Sequence, residues 1–175
     1  MRIPERTINF NVYNATDNEL LFCATVDLPE LSFLTDEVSG SGIMGKYESP
    51  TQGSLDSMKV TLNYRTIDSS ALRMLKHSGL QLDFRQATQV QDTLTGEYGS
   101  EGYYMSMWTC PPHSLTLGSA EAGGKNESKI ELEVKALTIF FDDVEQLAID
   151  KENFVFRVDG EDKLQKIKRD LGYDF

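Results

Sequence analysis

Lys129-Ile130-Glu131-Leu132-Glu133-Val134-Lys135 is a strict alternation of charged and apolar residues. Successive side chains of an extended chain point to opposite faces. This period of two therefore reads as a half-buried strand, with Ile130, Leu132 and Val134 on one side and Glu131 and Glu133 on the other. The same period recurs upstream. Ile8, Phe10 and Val12 alternate with Asn9 and Asn11; Met58, Val60, Leu62 and Tyr64 alternate with Lys59, Thr61 and Asn63; Leu80, Leu82 and Phe84 alternate with Gln81 and Asp83. Leu20, Phe22, Ala24, Val26 and Leu28 read as one face of a further strand that Pro29 ends. Tyr103 to Trp108 and Leu137 to Phe141 are apolar on both faces and read as central or doubly covered strands; Phe154, Phe156 and Val158 complete the set.

Two segments have helical character. Asp68-Ser69-Ser70 offers an N-cap, Ala71 to Lys76 makes about two turns, and Gly79 supplies a stop. The second runs from Glu161 to Leu171 and is closed by Gly172. Leu164, Ile167 and Leu171 form one narrow apolar stripe, and Lys166, Lys168 and Arg169 near its end suit the helix dipole. Many short strands with so few helices predict a mainly β fold: an antiparallel β-sandwich or barrel with one flanking helix and a short C-terminal helix, in a single domain spanning 1–175.

Composition narrows function. The chain has 17 lysines and arginines against 28 aspartates and glutamates, a net charge of −11 that argues against direct nucleic-acid binding, which needs cations to neutralise phosphates. The acidity sits at −5 in residues 1–60 and −5 in 126–175, with −1 between them, so it is not a tail. No apolar run approaches the ~20 residues that span a bilayer, and Met1 to Arg6 has no apolar signal core, so the expectation is synthesis in the cytoplasm. Cys23 and Cys110 are too few for a disulfide framework and read as reduced, buried small hydrophobes.

No motif builds a catalytic, metal or cofactor site. Gly40-Ser41-Gly42-Ile43-Met44-Gly45 matches G-x-G-x-x-G, yet Lys46 to Pro50 is poor helix material and no βαβ pattern surrounds it, so it reads as a flexible hairpin. Cys110-Pro111-Pro112-His113 is one thiol–imidazole pair with no second pair at zinc spacing. Asp142-Asp143 reads as a hairpin turn, and Asn14-Ala15-Thr16 and Asn126-Glu127-Ser128 are sequons without a secretory context. The stretches 36–57 and 111–128 are too long for simple turns and read either as functional loops or segments ordered by a partner, or as mobile surface loops.

The order of the C-terminal pieces carries a resemblance. Glu127-Ser128-Lys129-Ile130 leads into the alternating strand, and Phe154 to Val158 runs through Val158-Asp159-Gly160 into the last helix. Val26-Asp27-Leu28-Pro29-Glu30-Leu31 is followed after a gap by Ser41-Gly42-Ile43-Met44-Gly45. Over about half the chain these segments resemble the major tail tube protein of contractile-tailed phages and R-type bacteriocins, and they place the chain nearer that family than type VI secretion tubes. The stretch from about 86 to 125 departs from the family pattern.

The resemblance implies a structural subunit with no enzymatic activity and no cofactor. It self-assembles into hexameric rings stacked into a tube, with inner sheets joined into one lumen-lining barrel. Asp36 to Ser57 corresponds to the extended hairpin for inter-ring contact, with Val38, Gly40, Gly42, Ile43, Met44 and Tyr47 as its contact residues. The N-terminal arm, loop 118–128 and the C-terminal helix are further interface candidates. An acidic lumen would repel DNA, which carries one negative charge per ~1.7 Å of axis, so that it slides without specific binding; Asp83, Glu131 and Glu133 are the lumen-facing candidates. Implied partners are the tail sheath protein, a baseplate or hub initiator and the tape measure protein, with no membrane. The implied location is the virion tail, inside the sheath, after synthesis in the host bacterial cytoplasm. The alternative is a soluble β-sandwich module that binds a ligand or protein through 36–57 and 98–113.

Overall fold

The computed structural model describes residues 1–173. In chain order its strands are β1 (Arg2–Asn14), β2 (Glu19–Leu21), β3 (Thr25–Asp27), β4 (Phe33–Ser39), β5 (Lys46–Leu55), β6 (Lys59–Asn63), β7 (Leu80–Asp92), β8 (Tyr98–Thr109), β9 (Ser114–Thr116), β10 (Lys129–Phe141), β11 (Val144–Asp150), β12 (Val155–Val158) and β13 (Glu161–Asp162). The helices are α1 (Ser69–Arg73) and α2 (Gln165–Asp170). Every pairing is antiparallel, so the chain is mainly β, as its alternation predicts. No helix among the described residues is long and apolar enough to cross a membrane.

β10 joins the two layers. Its first half, Lys129 to Glu133, lies between β6 and β9 in a small sheet that β3 extends. Its second half, from Val134, lies between β8 and β11 in a wide sheet ordered β13-β12-β11-β10-β8-β7-β1-β2. The register slips between Val134 and Ala136. A bulge of this kind bends its strand and lets one strand turn a corner between sheets. Met58, Val60 and Leu62 meet Ile130, Leu132 and Val134 from the small sheet, and Leu80, Leu82, Met105, Met107 and Leu137 meet them from the wide one; all are buried in a single core. Removing such a side chain to alanine costs ~2–5 kcal/mol.

Several details depart from the period-two reading. The run from Leu20 to Leu28 is two strands, because β2 pairs with β1 and β3 pairs with β6. The chain changes sheet at Phe22 to Ala24, so the buried residue is Leu21, and Phe22 is 72% exposed. Ile8 is exposed because the register between β1 and β7 shifts between Thr7 and Asn9, dropping it from the core-side row. β8 is central in the hydrogen-bonded order but covered on one face only, which leaves Trp108 54% exposed.

Asp68 caps α1, its Oδ1 accepting the Ala71 N–H at 2.9 Å. A 3-10 turn over Met74–Lys76 follows, and the helix ends at His77, two residues before Gly79. α2 is shorter than the predicted 161–171 helix because Glu161 and Asp162 pair with β12 instead. Of its predicted stripe, Leu164 is buried, Ile167 half-buried and Leu171 exposed.

Candidate assembly surfaces

β4 and β5 form a two-stranded hairpin outside both sheets. Asp36 faces Ser49, Glu37 faces Glu48, Val38 faces Tyr47 and Ser39 faces Lys46. The G-x-G-x-x-G run is its tip, where Gly42 and Gly45 take φ of +88° and +94°, values that glycine adopts without a Cβ penalty. Met44 is fully exposed, Ile43 and Tyr47 are exposed, and Val38 is half-buried. A salt bridge of 2.9 Å between Lys46 and Glu37 ties the strands, but apolar side chains on an isolated two-stranded arm gain little from the subunit itself. The arm is an exposed apolar projection with an acidic stem.

The three acidic candidates do not share a surface. Glu131 and Glu133 project from the outer face of the small sheet, and Asp83 projects from the outer face of the wide sheet. Glu131 Oε1 lies 3.4 Å from Lys59 Nζ and 3.2 Å from His113 Nε2. Glu133 accepts hydrogen bonds from Ser57 Oγ at 2.6 Å and the Met58 N–H at 3.2 Å. These two carboxylates brace the segment before β6 and the loop before β9. Asp83 shares its face with Arg85, whose guanidinium lies 5.0 Å from the Tyr104 ring centre and 5.7 Å from that of Tyr13. Such cation–π contacts hold the cation against the sheet.

The wide sheet has a further feature that the apolar periodicity hides. β7 and β8 continue past the core as a paired ribbon from Gln86–Tyr103 to Gln91–Tyr98, and β1 runs along it as a third strand from Arg2. Arg2 to Asn9 are all exposed. β2 pairs only with Val12 to Asn14, so the outer edge of β1 upstream of that contact has no strand partner within the described subunit. Ile3, Leu94 and Tyr98 are exposed near the end of this finger. Residues 86–92 are mostly polar because neither face is deeply covered; the weak apolar signal is Val90, buried under the finger.

Cys23 and Cys110 are free and half-buried, Cys23 in the break between β2 and β3 and Cys110 just after β8. Burial pushes the Cys23 thiol up to about 12, outweighing a hydrogen bond with Tyr64. Asp142 and Asp143, with φ of +45° and +64°, make the tight turn between β10 and β11. The loop 117–128 returns over Arg65, whose carbonyl accepts the Asn126 N–H at 2.9 Å.

A family model described as phage tail tube protein FII matches residues 4–172. Among solved structures, a cryo-EM chain of the sheath/tube terminator of the PVC extracellular contractile injection system, in the extended state, superposes with a TM-score of 0.55 at 16% identity, covering 79% of this chain and 97% of that one. A chain of the sheath–tube complex of the same system, also extended, gives 0.48 at 17% identity over 75% of this chain and 88% of that one. A search of curated proteins finds no match.

Proposed function

The chain belongs to the phage tail tube protein FII family, a structural family and not an enzymatic one, and on that premise we propose that its copies close into hexameric rings through the two open ends of the wide sheet. The observation that carries this is the uncovered edge of β1, a row of backbone donors and acceptors along the exposed residues Arg2 to Asn9. Such an edge invites another strand, and a closed ring of sheets removes it. The opposite end of the same sheet is formed by β12 and β13, four and two residues long, and is the end that the next copy's β1 would join. The small sheet ends in β3 and β9, three residues each, so neither of its ends offers an edge as long as that of β1.

If the wide sheet is the one that closes, its outer face is the lumen wall. That face carries Asn9, Asn11, Asp83, Arg85, Ser106 and Thr138 in adjacent register. The same face adds the aromatic rings of Tyr13, Tyr104, Trp108 and Phe140 and the carboxylates of Glu145 and Asp150, so it is mixed polar and aromatic; Glu145 is paired with Arg157, and Arg85 is held over two of the tyrosine rings beside Asp83. DNA would pass along it without the cation surplus that binding requires. Glu131 and Glu133 then face outward, on the side available to a tail sheath protein. The single domain's hairpin arm, with Val38, Ile43, Met44 and Tyr47, bridges each ring to the next. The tube sits in the tail inside the sheath, started by a baseplate hub and measured by a tape protein, in a subunit made in the host cytoplasm.

Negative-stain electron microscopy with size-exclusion chromatography tests the reading. Six-fold rings or hollow filaments are expected, with baseplate components added as initiator where the protein alone stays dispersed. A monomer or dimer under both conditions returns the chain to a soluble binding module.

A further inference from the structure

The hairpin meets the body at one place, and the backbone there is irregular. Phe33 pairs with Leu55, but the next pair up the arm is Thr35 with Pro50. Thr51 to Ser54 therefore stand unpaired opposite Leu34 alone. An excess of residues on one strand bends it away from its partner. Gly53 lies in this bend with φ +73°, and the ring of Phe154 packs onto it so closely that a Cβ there would stand 2.9 Å from Phe154 Cζ and 3.3 Å from Leu164 Cδ2. Below the bend, Leu55 packs on the core and the Phe33 ring meets that of Phe156 edge to face at 5.7 Å. Above it, every arm residue is exposed except Ser49 and Val38.

Both residues that press on Gly53 are braced from elsewhere. Phe154 is in the left-handed region, φ +56°, at the end of the β11–β12 turn. That turn is held by Asp150, whose Oδ1 accepts the N–H groups of Glu152 and Asn153 at 3.0 Å each. Leu164 is buried at the head of α2 and fixed by Asp162, whose Oδ1 accepts the Leu164 N–H at 3.0 Å while its Oδ2 accepts Lys168 Nζ at 2.7 Å. Lys151, from the same turn as Phe154, donates to the Asp56 carbonyl at 2.6 Å and pins the strand leaving the arm. Backbone strain in a non-glycine residue persists where surroundings over-determine it, and it gathers at clamps.

We infer that Gly53 is the hinge of the arm and that Phe154 and Leu164 are its seat, so that the C-terminal turn and helix set the angle at which the arm leaves the subunit. Phe154 and Leu164 are positioning residues: they act on assembly through the arm's direction. The consequence for assembly rests on the reading of the arm as the bridge between rings; the hinge itself does not.

The test therefore measures direction and assembly separately. Spin labels at Met44→Cys and Ser114→Cys, in a Cys23→Ala/Cys110→Ser background that leaves no other thiol to label, report the distance from arm tip to body in the unassembled subunit. One narrow distance is expected in the parent, a broadened one in Phe154→Ala, and a displaced one in Gly53→Ala. Tube growth should need an about tenfold higher protein concentration in either variant, with single rings unaffected. Gly53→Ala/Phe154→Ala, which removes the ring that the new Cβ meets, should bring the mean distance back toward the parent value while keeping the broad spread of Phe154→Ala. An unshifted, narrow distance in both single variants overturns the hinge. If Gly53→Ala does not fold, the distance in Phe154→Ala alone decides the matter. Altered distances with normal tube growth leave the hinge and overturn the bridging role of the arm.

Discussion

Asp83 and Glu133 point out of different sheets that share one core, so a single lumen wall cannot hold both. With the wide sheet inward, Asp83→Lys adds a cation beside Arg85 at every subunit and should slow DNA delivery from particles that assemble normally. Glu131→Lys/Glu133→Lys should leave delivery intact and alter sheath attachment or contraction. The Glu133 change also removes the acceptor of Ser57 and the Met58 N–H, a cost of ~1–3 kcal/mol that a melting curve will register. Impaired delivery from the double glutamate variant, with normal delivery from Asp83→Lys, would place the small sheet at the lumen.

Removing residues 2–8 tests ring closure. These residues are exposed and lie outside the buried core, so the shortened chain should keep its far-ultraviolet spectrum and melt only slightly earlier. The penalties are the loss of the β1–β7 ladder from Arg2 to Thr7 and of the cover over Val90. Rings should disappear from micrographs. Intact six-fold rings from the truncated protein would show that β1 is not the joining edge.

What the sequence made legible follows from where the two faces differ. Met58 to Tyr64, Leu80 to Phe84 and Ile130 to Val134 have one buried face and one largely half-buried polar face, and their alternation placed each side chain on the right side. Legibility failed where that contrast vanishes. In the finger at 86–102 most residues are polar and half-buried or exposed on either face, with Val90 the buried exception, so no period shows. Between Leu20 and Leu28 the chain leaves one sheet for another, which reverses the parity at Phe22. At Glu161, pairing with β12 takes two residues that local propensity would give to a helix. The arm was legible as glycine at a tip, but its hinge was not. Gly53 is explained only by Phe154 and Leu164, about a hundred residues away in sequence, and no local pattern encodes that contact.

Met44→Asp separates assembly from stability at the arm. The side chain is fully exposed in the subunit, so the substitution should change the unfolding free energy by less than ~0.5 kcal/mol. A charge buried against the next ring without a partner is costly, so tubes should shorten to rings or short stacks. Tubes of parent length by electron microscopy would remove Met44 from the contact.

Cys23 offers a reactivity test of the sheet switch. Its thiol is pushed up to about 12 by burial, so at pH 8 the thiolate that attacks an alkylating reagent is scarce. Mass spectrometry after iodoacetamide treatment should show Cys110 modified first, with Cys23 modified only once denaturant opens the fold. Equal labelling of the two would mean that the break between β2 and β3 opens readily.

The last prediction concerns acid and the seat of the arm. Burial alone would raise the Asp162 carboxyl, but the Lys168 ammonium and the Leu164 N–H hydrogen-bond its ionised form, and the balance lies below the ordinary value of 3.8. A depressed carboxylate contributes stability that is fully present above the unfolded-state pKa and is lost as pH falls through the folded one. The Asp162 contribution is therefore intact at pH 5 and fades below about pH 3.8. Leu164 is positioned by that carboxylate, so the head of α2 should loosen in this window, and the seat under Gly53 with it. Amide exchange across 161–171, normalised for the intrinsic acid dependence of exchange, should keep its protection down to pH 3.8 and lose it only at more acid pH. Asp162→Asn cannot ionise; it should show reduced protection already at pH 7 and no further step in that window. Protection in the parent that is already no higher at pH 7 than in Asp162→Asn would detach α2 from Asp162 and leave Phe154 as the braced contact on the hinge.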